Sequence, residues 1–311
     1  MGITVLSLFD GMSCGMIALN KLAIKVDKYF ASEIDKHAIK VSNHNYPNII
    51  RIGDVTKVKY QSGKLFTECG EFDVGSIDLL IGGSPCQTFS IARTFQNEIT
   101  GLDGKSGLFY EYLRILNEIK VDNKEVKFLL ENVKMKNDSK LQLDKYLGVP
   151  GILINSALLS YQIRHRYYWT NIENVTLPQD LHISFQDFKE TNEQLLKKYK
   201  LNKTPSRIKS WSNGVGRNNG AGSANVTHSD KVYCLTTKQD RTPNSGLVEY
   251  EDFCRYLTQT ELEQAQTVPV GYTSCLSYNQ ACAVLGNGWT VDVIAHILSF
   301  AKFGKMEEED G

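Results

Sequence analysis

Short apolar runs alternate with helical patterns through the first half of the chain, and several of the runs end on an acid or a glycine. Residues 3–9, Ile-Thr-Val-Leu-Ser-Leu-Phe, form a β-rich run that passes through Asp10-Gly11-Met12-Ser13-Cys14-Gly15 into a helical pattern at Met16-Ile17-Ala18-Leu19. A second strand over 26–32 ends at Glu33, and Ile34-Asp35-Lys36 reads as a helix start. A third run, 49–52, ends at Gly53-Asp54, and residues 76–81 form a buried strand stopped by Gly82, Gly83 and Pro85. Residues 106–116 carry apolar side chains at helical spacing, and 126–130 form another buried strand that delivers Glu131-Asn132-Val133. Residues 152–159 lead into 161–169, where alternation places Gln162, Arg164 and Arg166 on one strand face and Ile163, His165 and Tyr167 on the other. Strand, glycine turn and helix in repetition predict an α/β fold with a Rossmann-like sheet.

From residue 172 the texture changes. Alternation weakens, and 204–246 becomes rich in Gly, Asn, Ser and Thr, with a short strand expected at 233–236. The pattern divides the chain into a main domain, 1–171 plus 272–311, and a smaller irregular domain, 172–271. Within 203–246 seven basic residues (Lys203, Arg207, Lys209, Arg217, Lys231, Lys238, Arg241) face two acidic ones, Asp230 and Asp240. Such a local excess suits phosphate contacts, while a flexible insertion without a partner would share the composition. A helix is expected near 259–267 and a turn at 269–272, after which 286–290 opens a C-terminal helix over 291–300 ahead of an acidic tail.

Composition narrows the picture. The 311 residues are 41% hydrophobic and 23% charged, ordinary for a globular protein, and the net charge is zero, so any nucleic-acid surface must be local. Seven cysteines at 14, 69, 86, 234, 254, 275 and 282 show no CxxC pair, which points to a reducing compartment and to neither disulfide framework nor structural metal. No leader and no apolar run of membrane length is read, so the expectation is a soluble, intracellular protein.

The candidate chemistry collects at the carboxyl ends of the strands, where open α/β sheets bind ligands. Cys86 follows the strand over 76–81; a thiol there is either a nucleophile awaiting partners or a small buried hydrophobe. The first turn lacks the GxGxxG spacing of a dinucleotide fold. Glu33 lies about twenty residues past that turn, where a carboxylate accepts ribose hydroxyls, and Asp54 suits an adenine amino group; together they favour an adenosine-bearing cofactor. Glu131 is either a buried acid with a raised pKa that donates a proton or a partner for a nearby arginine. Arg164 and Arg166 beside such an acid would bind a carbonyl or oxyanion. Residues 88–105, polar and turn-rich, read as a lid.

The ordered set Phe9-Asp10-Gly11…Gly15, Glu33, Gly53-Asp54, Ser84-Pro85-Cys86-Gln87, Glu131-Asn132-Val133, Gln162-x-Arg164-x-Arg166, Arg255-Tyr-Leu-Thr258 and Gly286-Asn287-Gly288 resembles the DNA cytosine-5 methyltransferase family, small bacterial or phage type. The resemblance covers nearly the whole chain outside 172–250, where that family carries its variable target-recognition domain. It implies a methyltransferase sheet that binds S-adenosyl-L-methionine and acts on a flipped-out cytosine in duplex DNA. Cys86 would attack ring carbon 6, Glu131 would protonate or hydrogen-bond ring nitrogen 3, and Arg164 and Arg166 would hold the base carbonyl and the loop around Cys86. Phe9 would stack on adenine, with Asp10, Gly11, Gly15, Glu33, Ile34, Asp54, Val55, Pro85, Leu108, Asn287 and Thr290 completing the cofactor site. Gln87, Ser90, Arg93, Arg207, Lys209, Arg217, Lys238 and Arg241 would contact DNA. The implied partners are duplex DNA and a cognate restriction endonuclease or phage context, with no membrane and a monomeric chain in the cytoplasm.

Two departures from the family, Asp10-Gly11 in place of Ala-Gly and Gly288-Trp289 in place of Gly-Ser or Ser-Val, are expected to leave the chemistry untouched. Three rivals stand beside this reading: a tRNA cytosine-5 methyltransferase, a silent DNA-binding homologue and a nucleotide-dependent oxidoreductase. The first usually carries Pro-Pro-Cys where this chain has Ser-Pro-Cys. The second would have no reason to keep Cys86, Glu131 and both arginines, and the third leaves Cys86 and the arginine strand without a use.

Overall fold

The computed structural model describes residues 2–85, 107–212, 224–238 and 244–303. Its centre is a seven-stranded sheet. The strands are β1 (Ile3–Leu8), β2 (Val26–Ser32), β3 (Ile50–Gly53), β7 (Leu79–Gly83), β8 (Lys127–Val133), β9 (Ile152–Asn155) and β10 (His165–Thr170), in the spatial order β3-β2-β1-β7-β8-β10-β9. The first five in that order run parallel, and β10 is antiparallel to both of its neighbours. Strand order reverses between β1 and β7, so the crevice lies above their carboxyl ends.

Side chains alternate across the sheet and build two cores. Val5, Tyr29, Ala31, Leu79, Ile81 and Leu129 face helices α1 (Cys14–Lys21), α2 (Lys36–Asn45), α7 (Gln259–Ala265), α8 (Tyr278–Asn287) and α9 (Val291–Leu298). Leu6, Leu8, Phe30, Leu80, Phe128 and Leu130 face α3 (Gly107–Asp122) and α4 (Asn137–Leu147). Near-continuous apolar strands are what a sheet covered on both faces requires. Close approach of helix to sheet leaves no room at Gly15, where a Cβ would run into the Ile81 side chain and the Tyr29 hydroxyl.

Beside the main sheet lie two small antiparallel ones. Strands β4 (Lys59–Gln61), β5 (Lys64–Thr67) and β6 (Gly70–Asp73) form a meander after β3 that the weak alternation of this stretch does not predict. Strands β11 (Lys200–Asn202), β13 (Phe253–Tyr256) and β12 (Leu247–Glu249) form the other, next to α5 (Glu193–Leu196) and α6 (Pro205–Ser212). The latter sheet encloses only a small core of Leu201, Ala224, Leu247 and Cys254. Phe185, Val226, Val232, Leu235, Leu257 and Leu262 belong instead to the core on one face of the main sheet, so the hydrophobic interior is continuous across residues 171 and 271.

Three elements depart from expectation. The strand read at 233–236 does not form; Val232 makes one isolated bridge to Gln162, and the Tyr233 N–H donates to the Ser245 carbonyl without building a ladder. Gly286 and Asn287 end α8 rather than open the last helix, which starts at Val291. The stretch Tyr278–Leu298 does have the length and apolarity of a membrane span, with a mean hydropathy of 1.4, against the reading that no such run exists. It folds as α8 and α9, broken at Gly288, and most of it is buried inside the fold, as in the core helices of a globular protein.

Candidate active site

The carboxyl ends of β1, β2, β3, β7 and β8 open into one cavity of about 440 Å³, the size of a small-ligand site. One end is acidic and apolar. Phe9 follows β1 with φ 56, a left-handed backbone that costs a bulky side chain roughly 1–2 kcal/mol and turns it into the cavity wall. Gly11 (φ 59) follows, with open space where its Cβ would stand. Glu33 cross-links the turns after β1 and β2: its Oε2 accepts from the Gly11 N–H at 2.7 Å, and its Oε1 from the N–H groups of Ile34 and Asp35 at 2.8 Å each. Burial pushes the Glu33 carboxyl above its ordinary value, although these backbone donors pull it down. Ile34 is 73% exposed yet lines the cavity, an apolar side chain left open toward a ligand. Asp54 and Val55 complete this end, with Leu108 at the start of α3.

The other end carries the charge machinery. Glu131 sits in β8, buried, and its Oε1 pairs with Arg166 Nε at 3.0 Å. Burial opposes the Arg166 charge, but Glu131, with smaller contributions from Cys234 and Tyr168, more than offsets it, and the guanidinium is held above its ordinary value. The pairing follows from topology. β10 runs antiparallel to β8 with Arg166 opposite Val133, so residues at its amino end reach the edge where β8 finishes. The alternation expected over 162–166 holds: Gln162 and Arg164 are buried while Ile163 and His165 are exposed. Only the part from His165 onward is β10, however.

Arg164 is committed to backbone. Its Nη2 donates to the carbonyls of Gly286 (3.1 Å) and Gly288 (3.0 Å), and its Nη1 donates to the Leu235 carbonyl (3.2 Å) and approaches Cys234 Sγ at 3.3 Å. Gln162 supports the same turn from below, accepting from the Leu235 N–H and donating to the Ala265 carbonyl and Gln266. Both arginines border the cavity, along with Pro85 and Asn287.

Three residues assigned to the cofactor do not line it. Asp10 turns into a buried network, accepting from Ser13 Oγ (2.5 Å), Tyr29 Oη (2.9 Å) and Arg51 Nη1 (3.1 Å). Gly15 serves the packing described above. Thr290 donates to Gln266 Oε1 and accepts from Ser156 Oγ, both at 2.8 Å. Conversely, Ser84 and Asn132 line the cavity unforeseen: Asn132 Nδ2 donates to Ser84 Oγ (3.0 Å) and ties the end of β8 to the turn before Cys86. Trp289 was expected to leave the chemistry untouched; its indole N–H donates to Glu131 Oε2 at 3.1 Å.

Cys86, Gln87, Ser90, Arg93, Arg217 and Arg241 lie outside the described residues, as does the segment 88–105. Of the expected DNA contacts that are described, Arg207, Lys209 and Lys238 are exposed. Three of the described basic residues counted in 203–246 already make contacts within the fold, and Arg207 Nη1 donates to the Asn202 carbonyl at 3.2 Å. Lys203 pairs with Glu249 at 2.9 Å, and Lys231 donates to the carbonyls of Ala157, Ser160 and Ile183.

Residues 3–149 match the family model for C-5 cytosine-specific DNA methylase. The chain is 34% identical over 136 residues to the orphan methyltransferase M.SPRI of Bacillus phage SPR, covering 42% of this chain and 26% of that protein. It is 31% identical over 188 residues to the type II methyltransferase M.NgoBV of Neisseria gonorrhoeae, covering 57% of this chain and 39% of that one. The matches thus span from about a quarter to two fifths of these relatives' length. The fold is similar to the crystal structure of the S. pombe Dnmt2 methyltransferase, with a TM-score of 0.71 at 17% identity over 96% of this chain and 98% of that one.

Proposed function

Because residues 3–149 match the family model for C-5 cytosine-specific DNA methylase, we propose that the chain methylates carbon 5 of a cytosine flipped out of duplex DNA, using S-adenosyl-L-methionine. One observation carries the reading: a carboxylate–guanidinium pair, Glu131–Arg166, shares a cavity with an acid-rimmed apolar slot, and Pro85, the residue before Cys86, lines that cavity too. The slot fits the nucleoside part of the cofactor. Glu33 and Asp54 offer acceptors to hydroxyl and amino groups, and Phe9, Ile34 and Val55 offer apolar surface to a base. When bound, S-adenosyl-L-methionine supplies an electrophilic methyl group.

The chain's residues do the rest. Carbon 5 of cytosine is a weak nucleophile, so the ring must first gain electrons. The Cys86 thiolate forms a bond to carbon 6, and Glu131 meets the charge that develops at ring nitrogen 3 with a hydrogen bond or a proton. Arg166 faces the base carbonyl beside it. Arg164, through the carbonyls it holds, keeps the 286–288 turn against the site. After carbon 5 has taken the methyl group its proton leaves, and the Cys86–carbon 6 bond breaks to restore the ring.

Duplex DNA is favoured over tRNA by Ser84-Pro85-Cys86, in place of Pro-Pro-Cys, and by the phage and bacterial type II proteins the chain is similar to. In that setting the chain acts on DNA in the cytoplasm of a bacterial or phage-infected cell, as a monomer, beside a cognate nuclease or alone. Exposed Arg207, Lys209 and Lys238 would meet the phosphates. Duplex DNA carrying 5-fluorocytosine should trap a covalent complex with the wild-type protein and none with Cys86→Ser, seen as a denaturant-stable band. A complex formed by the mutant removes Cys86 as nucleophile. Tritium from labelled cofactor appearing in tRNA alone removes DNA as substrate.

A further inference from the structure

Trp289 stands in the turn where α8 has ended and α9 has not begun, and its ring is 8% exposed. A buried indole needs an acceptor for its N–H, and any carbonyl nearby would serve. Here the acceptor is the carboxylate at the centre of the site. Glu131 is therefore gripped on both oxygens, Oε1 by Arg166 Nε at 3.0 Å and Oε2 by Trp289 Nε1 at 3.1 Å.

The surroundings are cut to allow the contact. On β7, a Cβ at Gly83 would lie 2.7 Å from Trp289 Nε1 and 3.0 Å from Glu131 Oε2, so any side chain there would force the two apart. Backbone on either side of the indole is pinned: the Gly288 carbonyl accepts from Arg164 Nη2 and Gln266 Nε2, and the Gly288 N–H donates to the Val284 and Leu285 carbonyls of α8. The Trp289 carbonyl accepts from the Cys14 thiol. An indole on a fixed backbone, reaching a fixed strand through a gap that only glycine leaves, is a rigid donor.

We propose that Trp289 is a positioning residue for Glu131, its indole N–H holding Oε2 while Arg166 holds Oε1, so that the carboxyl has one orientation toward the base. The proposal rests on the reading of Glu131 given above and deepens it. Two donors, one on each oxygen, restrict the rotation of the carboxylate. The other groups that face Glu131 are Arg166 and Tyr168 on β10, with Arg164 just before that strand and Cys234 Sγ against both guanidiniums. Arg166 orients the carboxyl as Trp289 does, so their effects separate only when Trp289 alone is changed.

Trp289→Phe keeps an aromatic ring and removes the donor. Two readouts test the idea. In protein labelled with 15N-tryptophan, the indole resonance lost in Trp289→Phe should shift in Glu131→Gln, whose neutral amide is a weaker acceptor than the carboxylate. In methyl transfer to cytosine DNA, Trp289→Phe should lower kcat about tenfold while leaving KM for DNA unchanged, because the carboxyl is no longer held in one orientation. Gly83→Ala, which pushes the indole off the carboxylate without altering it, should lower kcat the same way.

An indole resonance unmoved by Glu131→Gln overturns the contact. A lowered melting temperature with kcat unchanged makes Trp289 a core residue only and overturns the proposal. Wild-type protein that transfers no methyl group to any cytosine defeats the underlying function instead, and the indole resonance still decides the contact.

Discussion

Glu33 shows in its own proton equilibrium what a ligand site costs. Burial raises its carboxyl from the ordinary 4.5, and the backbone donors of Asp35, Gly11 and Ile34 recover only part of that shift. The folded chain therefore keeps this proton to higher pH than the unfolded chain. The stability it contributes is full below 4.5 and is lost as pH rises through the elevated folded value. Urea unfolding at stepped pH should show the stability of wild type relative to Glu33→Ala falling across that window; a rising difference would contradict the assignment. Hydroxyl donors from a bound nucleoside would pull the carboxyl down again, so binding in the same window should release protons. Glu33, Asp54 and Glu131 were legible because each stands at or near the end of a buried run, where an acid has few reasons to be. Asp10 stands in the same kind of place and misled, because its partners Ser13, Tyr29 and Arg51 come from three separate segments. Trp289 was illegible for a similar reason: its carboxylate partner lies 158 residues earlier in the chain.

Among elements, the start of α7 concentrates the most buried charge. Arg255 and Glu261 are 0% and 1% exposed at their side chains and pair through two contacts of 2.7 and 2.8 Å. The same Glu261 closes a capping box with Thr258, so one carboxylate ends a strand, starts a helix and neutralises an arginine. Glu261→Gln should keep the cap's acceptor but leave Arg255 a buried cation without its counter-charge. We expect a loss of about 3–5 kcal/mol in denaturant unfolding; a loss under about 1 kcal/mol would mean that water reaches the pair. Sequence patterning located the parallel strands because a sheet covered on both faces demands apolar runs. It missed α4 and α8, whose apolar faces are interrupted by polar residues such as Lys140 and Asn279, and the β4–β6 meander, whose alternation is cut by Gly63 and Gly70. It also read a strand at 233–236, where side chains from elsewhere replace strand pairing: Gln162 holds the Leu235 N–H and Arg164 the Leu235 carbonyl.

At the scale of the molecule, charge and architecture separate two tasks. The chain balances 35 basic against 35 acidic residues, so the proposed attraction to DNA would depend on few side chains. Each phosphate contact contributes about 0.9 to the slope of log affinity against log salt. Replacing Lys209 or Lys238 with Ala should lower that slope by roughly this amount, measured by fluorescence anisotropy on duplex DNA; an unchanged slope would place the DNA elsewhere. Sheet order bears on the rest. Arg166 stands on β10, one strand in from the β9 margin, whereas Phe9 follows β1, four strands in from it. Fraying that begins at that margin would break the Glu131–Arg166 pair before it reached the wall against which a nucleoside would rest. A partly unzipped form would then keep the slot intact while its charged pair had come undone.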